Sequence, residues 1–178
     1  MELAFQIPNK LYYIKNFLDY KTYKKIHSEV FKDKLIDLKT TENEWEDNLS
    51  YGYKNFTKRT QFNGDQPLLK KIKILLQTNP FHKIKCNDFK FILHSMDDGC
   101  GINWHDDGGY DYGVTYYLNR RWGLKFGGEL LYIDNKSYGF IPIIPNSLLI
   151  LKTPILHKVS LINKPLIARK TIQIFIKK

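Results

Sequence analysis

The spacing of apolar positions along the chain changes character near residue 88. Before that point two stretches carry apolar residues at helical spacing. In the first, Tyr23, Ile26, Val30 and Phe31 form an approximate stripe behind Asp19 and Thr22, either of which can cap a helix. The second runs through PLLKKIKILLQT from Pro67, a residue suited to a first helical turn, with Asp65 placed to cap it and Asn79-Pro80 placed to stop it. Residues 11–17 (LYYIKNF) read as a short aromatic-rich strand. Residues 40–65 are polar with Trp45, Tyr51 and Phe56 interspersed, and they predict no regular element.

After residue 88 the helical period is gone. FKFILHSM, GVTYYLN, GGELLYID, NSLLILKT, HKVSLI and TIQIFIKK are short β-rich runs separated by glycine, proline, asparagine and aspartate. With shorter segments at 102–105 and 140–144 the tally is about eight strands, which close naturally as two stacked sheets or a squashed barrel. The expected fold is mainly β with N-terminal helices: a single domain over 1–178, its helical and mixed support in 1–88 and its β core in about 89–178.

Composition narrows the setting. At 178 residues with 43% apolar and 15% aromatic content, the chain can bury a core of its own and is not a disordered segment. No apolar run approaches a membrane span, and MELAFQIPNK lacks a basic region followed by an apolar one, so neither a membrane protein nor a secretory signal is expected. Two cysteines, Cys86 and Cys100, are too few for a disulfide scaffold and suit a reducing, cytoplasmic setting. The formal charge of +10 raises the question of a polyanionic partner. The basic residues are scattered lysines, however, which argues against nucleic acid. A sharper asymmetry is that 97–111 holds five aspartates and no lysine or arginine, while 135–178 holds no acidic residue. A metal site shared between these regions would bring them together.

His105-Asp106-Asp107 supplies the first candidate ligands. In an extended strand His105 and Asp107 share a face and Asp106 points away. His157, at the start of HKVSLI, is the best third ligand, with His94 as its rival; His27 and His82 fall in a helix and a loop. Two histidines and a carboxylate on one face of an octahedral iron(II) leave positions open for a co-substrate and oxygen. Arg169 opens the apolar strand RKTIQIFI with Thr171 on the same face. Burying such an arginine is costly without an anion, and its planar fork suits a carboxylate, which Thr171 and an aromatic hydroxyl could help to hold.

These residues bring a family resemblance with them. The run WHDDGGYDYGVTYYLNRRWGLKFGGELLYID, then PNSLLIL, HKVSLI and RKTIQIFI, resembles the prolyl-4-hydroxylase-like branch of the 2-oxoglutarate- and iron(II)-dependent dioxygenases over residues 92–176. The resemblance implies a double-stranded β-helix, or jelly roll, of the cupin-like kind. It implies iron ligation by His105, Asp107 and His157, and binding of the C5 carboxylate of 2-oxoglutarate by Arg169 with Tyr117 and Thr171. Oxygen would be the second co-substrate, with ascorbate as an accessory reductant, and the reaction would hydroxylate an unactivated C–H bond. The substrate implied is proline in a peptide or protein; a free amino acid or small metabolite is the enzyme alternative, and a non-catalytic β-sandwich binding module the rival from another class. Asp107 argues against a halogenase, and Phe175, where a nucleic-acid demethylase would have a second arginine, argues against that activity. Ser95 stands near where some relatives place a tyrosine on the co-substrate, and Trp104 with the GGYDYG loop is expected to shape the entrance instead. The oligomeric state stays open.

Overall fold

The computed structural model describes residues 1–31, 38–41, 47–50, 52–62, 66–135 and 137–177. Its N-terminal half contains β1 (Glu2–Ile7), β2 (Leu11–Lys15), α1 (Tyr20–Phe31), β3 (Lys39–Thr40), α2 (Asp47–Ser50), β4 (Lys58–Phe62) and α3 (Pro67–Thr78). The eight expected strands follow: β5 (Asp88–Met96), β6 (Ile102–His105), β7 (Tyr112–Tyr117), β8 (Leu130–Asp134), β9 (Ser137–Ile141), β10 (Leu148–Lys152), β11 (Leu156–Val159) and β12 (Arg169–Lys177). They form two antiparallel sheets, the larger in the order β1-β2-β10-β7-β12-β5-β4-β3 and the smaller in the order β6-β11-β8-β9. From β5 onward the chain crosses from one sheet to the other at each connection, except at the β8–β9 hairpin. That is a double-stranded β-helix.

Strand alternation divides the larger sheet into two faces. On β12, Ile172, Ile174 and Ile176 point outward and are fully buried against the helices. Tyr23, Ile26 and Val30 of α1 and Leu69, Ile72 and Leu76 of α3 cover them. Each such aliphatic side chain contributes about 1.5–3 kcal/mol relative to exposure. The inner face packs on the smaller sheet at one end, where Leu11, Tyr13, Leu149 and Leu151 meet Leu130, Tyr132 and Ile141, and again through Met96 of β5, which meets Ile102 and Val159. Towards β12, β5 and β4 the inner positions turn polar, and the sheets part around a cleft.

Several local expectations are resolved. Asp19 caps α1: its Oδ1 accepts a hydrogen bond from the Thr22 backbone N–H at 2.8 Å, and its Oδ2 accepts from the Thr22 hydroxyl. Gln66 occupies the N-cap position of α3 without a side-chain cap; Asp65 lies outside the described residues. The last strand of the smaller sheet spans Ser137–Ile141 rather than 140–144. Three strands lie outside the expectation, β1, β3 and β4, and so does the short helix α2. The β4 sequence KRTQF shows no apolar alternation, because none of its residues is fully buried. Asn146, in the PNS turn, ties the N-terminal support to the core: its side chain accepts from the Leu18 N–H and the Tyr116 hydroxyl and donates to the Leu18 carbonyl. Cys86 and Cys100 form no disulfide. Among the described residues no helix is long and apolar enough to cross a membrane.

Candidate metal centre and anion pocket

Antiparallel pairing of β6 with β11 places His105 directly opposite His157. Their ring centroids are 4.3 Å apart. Asp107 completes the group, its Oδ1 lying 3.5 Å from His105 Nε2 and its Oδ2 3.5 Å from His157 Nε2. One donor atom from each residue falls within 4.8 Å of the others. His94 lines the same cleft but is not part of this donor group.

The route by which Asp107 arrives differs from strand alternation. β6 ends at His105, and Asp107 adopts a left-handed backbone conformation with φ +56°. A turn, not a pleat, swings its carboxylate back over β7. There Gly113 leaves the room it needs, since a Cβ at 113 would overlap Asp107 Oδ2. Asp106 points elsewhere and accepts a hydrogen bond from the Gly108 N–H at 3.0 Å.

Both imidazoles are oriented from behind. His105 Nδ1 meets the Asn103 carbonyl at 2.7 Å and His157 Nδ1 meets the Ile155 carbonyl at 2.8 Å. A carbonyl only accepts, so each Nδ1 carries the proton, and in the neutral ring Nε2 presents a lone pair towards Asp107. Burial pulls the His157 pKa below the usual histidine value. At His105 burial acts the same way, but the hydrogen bond and charge of Asp107 outweigh it and the pKa is raised. Asp107 itself is held below the usual carboxylate range, its burial offset by the hydrogen bond from His105 and the charges of His157 and His105. Burial, with the nearby charges of Arg169 and Arg59, pushes His94 down to about 3, which leaves it neutral.

On the other side of the cleft Arg169 is 2% exposed at the start of β12. Its Nη1 reaches Met96 Sδ at 3.4 Å, its guanidinium lies 5.5 Å from the Tyr117 ring centre, and its Nε has no hydrogen-bond partner among the described residues. Gly128 leaves space for the arginine stem, a Cβ there falling 3.0 Å from Arg169 Cδ. The buried Tyr117 hydroxyl and Asp107 Oδ2 likewise have no hydrogen-bond partner among the described residues. Arg169 Nε and Asp107 Oδ2 in the cleft, with the Tyr117 hydroxyl beside Arg169, are atoms that a metal ion and an anion held here would satisfy. Thr171 is paired in register with Tyr117 and shares the inner face with Arg169.

Sequence reasoning missed Gly113 and Gly128, whose small size admits the Asp107 and Arg169 side chains, and missed the approach of Arg59 from β4 to the cleft. A glycine inside the apolar run GVTYYLN is the one signal that points to the first. Ser95 shares the helix-facing side with Lys170, its register partner, and so does not support a co-substrate. Trp104 does not line the cleft; it alternates with His105 on β6, is 41% exposed, and has Lys158 Nζ 5.7 Å from its ring centre.

No protein-family model matches the chain, and no curated protein does either. Solved structures do. A Pseudomonas putida prolyl-4-hydroxylase superposes with a TM-score of 0.75 at 13% identity, over 96% of this chain and 94% of that one. The chain has the prolyl-hydroxylase fold. A Trichoplax adhaerens prolyl hydroxylase, in complex with a hypoxia inducible factor peptide fragment, gives 0.71 at 19% identity, over 96% and 84% of the two chains. A viral collagen prolyl hydroxylase from Paramecium Bursaria Chlorella virus-1, as its 2OG complex, gives 0.65 at 13% identity, over 95% and 96%. Within that fold this chain sets a two-histidine, one-carboxylate group in the cleft between the sheets.

Proposed function

We propose that the protein is an iron(II)- and 2-oxoglutarate-dependent hydroxylase acting on proline in a peptide or protein. In this reading His105, Asp107 and His157 hold the metal, and Arg169 with Tyr117 and Thr171 holds the distal carboxylate of 2-oxoglutarate. Residues 1–88 support the core of 89–178 as one domain. The observation that carries the reading is a buried arginine and tyrosine with unmet hydrogen bonds beside a His-Asp-His donor group, the arginine and the three donors lining one cleft. The peptide substrate rests on likeness to the prolyl hydroxylases above.

Iron(II) with 2-oxoglutarate and oxygen supplies the hydroxylation of an unactivated C–H bond, with succinate and carbon dioxide as co-products and ascorbate as accessory reductant. The chain's own residues position that chemistry. The carbonyls of Asn103 and Ile155 fix the tautomer in which each Nε2 is free to bind a cation. Asp107, ionised by its neighbours, contributes the negative charge. Arg169 offers a carboxylate a forked, charged donor in a sheltered setting, where such a bond outcompetes water. Ile102, Leu130 and Val159 wall the cleft with apolar surface and limit water around the reacting centre.

The test is reconstitution with iron(II) and 2-oxoglutarate. Slow iron-dependent succinate formation is expected without substrate, rising with proline-containing peptides and less with free proline. Protein that neither binds iron(II) nor forms succinate with any of a broad panel of peptides and amino acids overturns the reading.

A further inference from the structure

Between the metal end of the cleft and its anion end, the floor carries one further polar pair. Three register pairs of β7 with β12 face inward in succession: Gly113 with Phe175, Thr115 with Gln173, and Tyr117 with Thr171. Asp107 lies over the first pair, and Arg169 stands beside the last. Same-face residues of a strand are about 7 Å apart, so Thr115 and Gln173 sit about 7 Å from either end.

This pair is ordered from within. The hydroxyl of Thr115, a buried residue, donates to Gln173 Oε1 at 2.8 Å. Gln173 is half-buried and lines the cleft. Its oxygen is engaged by Thr115, whereas its Nε2 has no hydrogen-bond partner among the described residues. A primary amide held in this way turns two N–H donors, and not its acceptor, towards whatever the cleft holds.

2-Oxoglutarate laid from Arg169 to the metal passes over this pair. Its five carbons, joined by four bonds of about 1.5 Å, reach about 5 Å when extended. With the C5 carboxylate on Arg169, the C4 and C3 methylenes and then the C2 and C1 groups come over Thr115 and Gln173. The methylenes take no donor. The C2 oxygen and one C1 oxygen serve the metal, which leaves the second C1 oxygen as the acceptor for an amide N–H.

We propose that Gln173 holds the C1 carboxylate of 2-oxoglutarate, its Nε2 donating to the oxygen that the metal does not take, and that Thr115 is the positioning residue that sets this amide. The inference rests on the hydroxylase reading above and deepens it by naming what fixes the metal-bound end of the co-substrate.

The test compares two ligands on protein loaded with manganese(II): 2-oxoglutarate, and succinate, which keeps a distal carboxylate but lacks the C1 group. Gln173→Met keeps the length of the side chain and removes the donors. It should weaken 2-oxoglutarate binding about 10- to 100-fold, as expected for a hydrogen bond to a charged group, and leave succinate and manganese affinities near wild type. Arg169→Ala should weaken both ligands. Thr115→Val should weaken 2-oxoglutarate less than Gln173→Met does, Thr115→Ser should restore it, and the Thr115→Val/Gln173→Met double variant should be no weaker than Gln173→Met alone. Under argon, the visible charge-transfer band of the iron(II)–2-oxoglutarate complex should shift in Gln173→Met. Thermal melting accompanies each variant. Wild-type affinity for 2-oxoglutarate in Gln173→Met overturns the proposal, as do equal losses for the two ligands. A matching loss of manganese affinity would assign the amide to Asp107 and overturns it as well. The wild type separates the two levels. If it binds 2-oxoglutarate and forms succinate with iron while the variants match it, this inference alone fails; if it does neither, the hydroxylase reading fails and this inference with it.

Discussion

Gly113 of β7 faces the Asp107 carboxylate so closely that a methyl group at 113 would overlap Asp107 Oδ2. The obstacle would be the end of a side chain and not backbone, so Gly113→Ala should fold normally and displace the ligand instead. Its thermal midpoint should stay near wild type while affinity for manganese(II) falls about 10- to 100-fold, the range seen when the support of a metal ligand is disturbed. Calorimetric titration beside a melting curve checks both. Unchanged metal affinity would show that Asp107 has another way to reach the metal.

The turn at 106–107 separates two adjacent aspartates. Asp107→Ala removes the carboxylate between the two histidines and should abolish most metal binding. Asp106→Ala removes only the hydrogen bond to the Gly108 N–H and should keep it. Parallel titrations with an inert divalent ion decide the matter, equal losses placing the wrong aspartate at the metal.

Truncating Arg169 would leave a bound carboxylate unpaired in a sheltered pocket, at a cost of about 2–5 kcal/mol. Arg169→Ala should therefore weaken 2-oxoglutarate binding by about 30-fold to several thousand-fold while metal binding persists. Tyr117→Phe removes one neutral donor and should cost about 0.5–2 kcal/mol. The two effects should be non-additive, since both serve one anion. Arg169→Lys should recover only part of the loss, the ammonium lacking the planar fork. A wild-type 2-oxoglutarate constant in Arg169→Ala would move the anion site elsewhere.

Metal affinity should also depend on pH in a direction set by His105. Its pKa is raised above the ordinary histidine value, so in the metal-free protein protons compete for its Nε2 already in mildly acidic solution. Affinity should be full well above that pKa and fall as pH drops through it. His157, with its pKa lowered, joins only at lower pH. Metal titrations across this range check the order, and an affinity flat from neutral pH to pH about 5 contradicts it.

Lys170 stands next to Arg169 in sequence and on the opposite face of β12. Its Nζ donates to the Val30 carbonyl at the end of α1, at 3.1 Å, and lies 4.8 Å from the Phe31 ring centre. Lys170→Ala should destabilise the fold by about 1–3 kcal/mol, by denaturant titration, through the lost bond and stem packing. Its 2-oxoglutarate affinity should match wild type, the reverse of Arg169→Ala.

The parts of this protein legible in its sequence are those where burial writes a pattern. The stripes of α1 and α3 and the apolar β-rich runs of β5, β7, β10 and β12 are visible because apolar side chains fill the cores around the larger sheet, and Arg169 is conspicuous because it opens such a strand. His105, Asp107 and His157 were legible as residue types in order. Tertiary structure decided how they meet. Asp107 leaves the strand for a left-handed turn and depends on Gly113 across β7, a dependence between two segments that no local spacing encodes. β4 escaped notice for a related reason. A strand that faces a cleft on one side and is half-buried on the other shows no apolar period, and only its pairing with β5 carries Arg59 to the cleft beside the metal centre.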